Sequence, residues 1–138
     1  MNERKLANSG SPFEAEIGFS RAVRIGPFIS VAGTAPISPE GGVACPGDLY
    51  GQTKRCLQII ETAIQDLGGD LTHVIRTRVM LTDMSRWQEA GRAHGEYFGS
   101  IRPACTFVQV VALIDPGWLV EIEADALVLD QARGPAVT

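Results

Sequence analysis

Alternation and periodicity divide the chain into seven segments. From Phe19 to Ile37, FSRAVRIGPFISVAGTAPI, apolar and polar residues alternate, Val and Ile are frequent, and breaks fall at Gly26-Pro27 and Gly33. That pattern predicts a β-hairpin with strands at about 19–25 and 28–33. The period then changes. In DLYGQTKRCLQIIETAIQDLGG, residues Leu49, Thr53, Leu57, Ile60, Ile64 and Leu67 recur at helical spacing and trace one face. Asp48 suits the N-cap, and Gly68-Gly69 supplies the left-handed stop.

His73 to Leu81, HVIRTRVML, reads as a strand with Ile75, Thr77, Val79 and Leu81 on one face and Arg76, Arg78 and Met80 on the other. Asp83 or Ser85 opens a second helix to about Phe98, with Met84, Trp87, Gly91, His94 and Phe98 as its inner stripe. RPACTFVQVVALIDPGWLVEIEADAL, Arg102 to Leu127, reads as two apolar strands joined by a Pro-Gly turn. The order β-β-α-β-α-β-β predicts an α+β two-layer sandwich, with both helices on one face of a mixed sheet. The other sheet face is left bare, and a partner subunit is its natural cover.

The chain has 138 residues, 45% of them hydrophobic, which suits one domain, 1–138, with residues 1–17 as a polar N-terminal arm. The net charge of −4 and the singly scattered arginines point away from nucleic acid as a partner. No apolar run reaches the roughly 20 residues of a membrane span. The N-terminal stretch has no hydrophobic signal core, so a cytoplasmic location is expected. Cys45, Cys56 and Cys105 are odd in number and lack CxxC spacing, as reduced thiols do. His73 and His94 form no metal motif, and no cofactor motif is present.

Candidate chemistry centres on the last strand. Glu121, Glu123 and Asp125 occupy alternate positions and share one face. The plainer reading is a solvated sheet face. The chemical one is that a partly buried Glu among carboxylates has a raised pKa and serves as a general acid or base. Cys105 has no His in any recognisable relation to it, and a structural thiol is the commoner outcome. His73 fits a strand cap and His94 the helix stripe. Gly33 fits either close approach by a ligand or a bend at a strand end. If the last two strands paired about Asp115-Pro116-Gly117, Cys105 and Glu121 would lie roughly 20 Å apart, able to share a site only across subunits.

The segments GFSRAVRIGPFISVAGTAPI and RPACTFVQVVALIDPGWLVEIEADA, with the helix-strand-helix between them, resemble the YjgF/RidA family of reactive intermediate imine deaminases, from about Gly18 to Val128. AGT and VEIEADA carry the likeness most specifically. The resemblance implies a chorismate-mutase-like α+β fold, a homotrimer and small-molecule clefts between subunits. It also implies hydrolysis of imine or enamine acids such as 2-aminoacrylate. On that resemblance Gly33 is the cleft glycine, Glu121 orients water, and Phe19 stands where the family usually has a tyrosine. Cys105, followed by Thr106, stands where deaminases carry the arginine that clamps the substrate carboxylate. A thiol cannot replace that fork of charge-assisted bonds. The resemblance therefore implies an arginine-lacking subgroup with weak or absent 2-aminoacrylate deaminase activity. Catalysis by Glu121, a non-catalytic binding or sensing module, and the endoribonuclease or translation-inhibitor role of older family labels stay open as readings.

Overall fold

The computed structural model describes residues 3–129. The elements are β1 (Arg4–Ala7), α1 (Pro12–Ile17), β2 (Ala22–Ile25), β3 (Phe28–Thr34), α2 (Leu49–Asp66), β4 (Val74–Leu81), α3 (Trp87–Phe98), β5 (Ala104–Gln109) and β6 (Val120–Leu127), with 3-10 turns ahead of β4 and α3. The strands form one mixed sheet in the order β1-β2-β3-β6-β4-β5. α2 packs on β3 and β6 and against α3. The α+β sandwich is as expected. Among the described residues no helix is long and apolar enough to cross a membrane.

α2 bears out its periodicity residue by residue. Leu49, Thr53, Leu57, Ile60, Ile64 and Leu67 are all buried. Full burial of an aliphatic side chain stabilises by about 1.5–3 kcal/mol, so this stripe anchors the helix layer. Asp48 accepts from the Gly51 backbone N–H at 3.0 Å, and Gly68 stops the helix at a φ of 87°.

Four sequence-based expectations are corrected. The first concerns the arm, which is not featureless. β1 pairs with β2 and α1 folds over the sheet end, so the sheet has six strands. The second concerns β4, where an irregularity in the β4–β6 ladder between Val74 and Arg76 turns Ile75 outward. Val74 takes its place inside with Thr77, Val79 and Leu81.

The third concerns α3, whose buried stripe is Ala90, Ala93 and Phe98, while Trp87 is 49% exposed. Small side chains on this seam let the helix approach its neighbour closely, a preference that hydrophobicity alone does not register. His94 sits at the seam's edge, half-buried, with its Nε2 2.8 Å from Thr77 Oγ1.

The fourth correction is the largest. β5 and β6 form no hairpin: β4 lies between them, parallel to β5 and antiparallel to β6. The connector is held away from a tight turn by α2. Gln52, fully buried, donates to the Gly117 carbonyl at 3.0 Å and accepts from the Leu119 N–H at 2.8 Å. β4-α3-β5 becomes a parallel crossover at the sheet edge, and β6 goes to the centre. Val120, Ile122, Ala124 and Ala126 are accordingly buried.

Candidate functional site

The three acids of β6 do share the face away from the helices, but their neighbours come from β3 and β4. Glu123 pairs with Arg78 at 2.6 Å. Asp125 accepts from Ser30 Oγ at 3.1 Å and lies opposite Arg76 in the ladder. Glu121 lies opposite Met80, and no hydrogen bond or ion pair among the described residues uses its carboxylate. One acid of three is left without a polar partner.

That carboxylate points past the end of β3. The β3–β6 ladder is irregular between Val31 and Thr34, and Gly33 lies in the gap. A Cβ on Gly33 would sit 2.6 Å from Glu121 Oε2, so only glycine leaves the carboxylate its position. Burial pushes the Glu121 pKa upward, Arg21 draws it down, and Glu123 adds a smaller push upward. Desolvation wins, and Glu121 holds a proton more readily than an exposed glutamate.

Arg21 organises this corner. It is 5% exposed and ion-paired to Glu14 through Nε at 3.1 Å. Its Nη1 donates to the Gly33 carbonyl at 2.5 Å and to Thr34 Oγ1 at 3.1 Å. Glu14 also accepts from the Ser9 N–H at 3.0 Å and from the Ser9 hydroxyl. A buried pair with its remaining valences satisfied in this way holds its geometry. The Phe19 ring stacks under the guanidinium at 5.4 Å.

Around these groups lies a cavity of about 230 Å³, walled by the N-terminal arm, the end of β3 and one flank of α2. Phe13 and Trp118 meet edge to face across it at 6.0 Å, and Arg55 and Ile59 enter from α2. Phe19, Gly33 and Glu121 all line it.

Cys105 and Thr106 do not. They are exposed on β5, the outermost strand. Cys105 registers with Thr77, which registers with Ala124, three residues from Glu121 and two strands away. That places it roughly 14 Å from Glu121 within the chain. His73 accepts from the Asp70 backbone N–H through Nδ1 at 3.0 Å in a capping box, a structural post. Burial pushes the Cys56 thiol pKa up, and the side chain is fully enclosed. Among the described residues no group of three His, Cys, Asp or Glu is placed to hold a metal ion.

Sequence reasoning missed Glu14, Arg21, Arg55 and Trp118. Arg21 could have been found as a charge just ahead of an apolar strand, with a lone acid in the preceding helix. Arg55 carries no such signal, because its role depends on a loop that folds back over α2.

The description Endoribonuclease L-PSP belongs to the family whose model matches residues 10–128. A structure from Mycobacterium tuberculosis, Rv2704, described as a member of the YjgF/YER057c/UK114 family, superposes with a TM-score of 0.83 at 48% identity, covering 91% of this chain and all of that one. A RutC family protein of Pyrococcus abyssi is 37% identical over 108 residues, 78% of this chain and 84% of its own length. The 2-iminobutanoate/2-iminopropanoate deaminase of Bos taurus is 30% identical over 135 residues, 98% of this chain and 94% of its own.

Proposed function

This chain belongs to the endoribonuclease L-PSP family, also called the YjgF/Rid family, and from that premise we propose a homotrimeric protein that binds a small metabolite in clefts completed between subunits and hydrolyses a C=N bond there. The observation that carries this reading is the Glu121 carboxylate, half-buried, unpartnered and facing a small cavity beside Gly33. As general base it takes a proton from water while the oxygen attacks the imine carbon. Returned to nitrogen, that proton lets the C–N bond break, giving a carbonyl and ammonia. The bovine relative's name, an iminobutanoate and iminopropanoate deaminase, describes chemistry of this class. A bare sheet face with alternating charge and the open edge of β5 support further chains docking there.

With Cys105 in place of a clamp arginine, 2-aminoacrylate should be a poor substrate. The missing bidentate contact is worth on the order of 2–5 kcal/mol, roughly 30- to 5,000-fold in rate. The test uses imines generated by an amino-acid oxidase, with semicarbazide trapping what is not hydrolysed. Light scattering gives the mass. Wild type should clear at least one imine of a panel and Glu121→Gln none; equal clearance by both, or a particle of one chain's mass, would refute the proposal.

A second reading, binding without turnover, is favoured by Phe19, which has no hydroxyl to donate in the cleft. RNA cleavage, the chemistry in the family's descriptive name, is disfavoured by the net charge of −4.

A further inference from the structure

We propose that Arg55 is the anion-binding group of this cavity, and that the ligand is a small organic acid whose apolar body rests on Phe13, Phe19, Ile59 and Trp118. This deepens the functional reading above and rests on it for the identity of the site, since it assigns a head group to the ligand of the same cavity. Two guanidinium groups line that cavity, and they differ in what they have left to offer. Arg21 is spent, with Glu14 neutralising its charge and the Gly33 carbonyl and Thr34 hydroxyl holding its Nη1. Arg55 is not. Its Nε donates to the Ile37 carbonyl at 2.7 Å, which fixes the plane of the fork. Its Nη1 has only a 3.4 Å contact with the exposed Gln58 side-chain oxygen. Among the described residues no carboxylate pairs with Arg55.

A half-buried cation in a largely apolar recess, held by a neutral carbonyl and without a counter-charge, is matched by a carboxylate. The planar fork meets two oxygens with two parallel bonds. Arg55 and Ile59 are four residues apart on α2 and share one helix flank, so an acid head on one brings its apolar body onto the other. Glu121 forms no ion pair with Arg55, so the cavity keeps its two charged groups as separate stations. A volume of about 230 Å³ equals about eight waters at ~30 Å³ each. Benzoate, with about nine non-hydrogen atoms, is of matching size. The clamp missing at position 105 is thus supplied from another element, and it holds the acid from a different wall of the cavity.

Calorimetry with benzoate and its neutral analogue benzamide tests this. Quenching of Trp118, which is 5% exposed against 49% for Trp87, gives an independent readout. Wild type should prefer benzoate. Arg55→Gln should bind benzoate about 10- to 100-fold more weakly and lose the preference over benzamide. Arg55→Lys keeps the charge without the fork and should fall between, which decides the matter if the glutamine variant fails to fold. Equal affinity of wild type for the two probes, or an unchanged preference in the Arg55 variants, would overturn the proposal. Glu121→Gln separates the two claims, because it should retain benzoate binding whatever happens to turnover. Arg55-dependent binding with no imine hydrolysis by wild type would sink the enzymatic reading and leave this one standing.

Discussion

Glu121 and Gly33 touch across the irregular end of the β3–β6 ladder, where a Cβ on residue 33 would lie 2.6 Å from the glutamate Oε2 and 3.2 Å from its carboxyl carbon. Gly33 itself is not in the left-handed region, so alanine is tolerated by its backbone. The clash falls on the far end of a flexible side chain, which can swing aside. Gly33→Ala should therefore fold with a thermal midpoint within a few degrees of wild type, while imine hydrolysis falls at least tenfold as the carboxylate leaves its position. Loss of fold with the same substitution would mean that the glycine serves the ladder and not the site.

Burial raises the Glu121 pKa above its ordinary value of 4.5, so the folded chain binds this proton more tightly than the unfolded one. For a raised carboxyl the sign is that stability is highest below the unfolded value and falls as pH rises through the folded one. Glu121→Gln removes that dependence. The variant should gain thermal stability over wild type between about pH 4.5 and neutrality, with the gain shrinking in more acid solution. Thermal melts of both proteins across this range check it, and a gap that widens toward acid would reverse the assignment of burial as the dominant cause.

The pair of Glu14 and Arg21 should behave as a unit. Glu14→Ala strands a guanidinium that is 5% exposed, and breaking such a pair costs about 3–5 kcal/mol. Replacing both by Leu and Met should cost less than Glu14→Ala alone, because no uncompensated charge remains. Urea unfolding of the three proteins measures this. Additive losses would show that the two side chains do not share their energy.

How far the sequence discloses this molecule depends on the range of the interaction being read. α2 is local: its stripe, its Asp48 cap and its glycine stop lie within one window, and each is where periodicity puts it. The pairing of β5 is not local. Apolar alternation looks the same whether a strand meets its sequence neighbour or one two elements earlier, and Gln52, 65 residues from Gly117, holds the connector away from a tight turn. The site divides along the same line. Phe19, Gly33 and Glu121 carry a recognisable pattern and do line one cavity. The arginines beside them do not, because only the fold shows that Arg21 is neutralised by Glu14 while Arg55 has no carboxylate partner.

Cys105→Arg joins the proposed assembly to the proposed chemistry. Within one chain residue 105 is exposed on the edge strand, roughly 14 Å from Glu121, so a new guanidinium there has nothing to do with the cavity of its own subunit. If a neighbouring subunit presents its β5 edge to the cavity mouth, the variant adds a second fork for a carboxylate. Benzoate or 2-oxobutyrate should then bind about tenfold more tightly, and Cys105→Arg should restore part of the affinity that Arg55→Gln loses. Glu121 opposes the gain by competing for the new arginine as a salt-bridge partner. Turnover should rise less than affinity, because Phe19 still offers no hydroxyl. Calorimetry on the single and double variants, with light scattering on the same samples, resolves the contributions. Unchanged carboxylate affinity in a confirmed trimer would place residue 105 outside the cleft and leave Arg55 as its anion site.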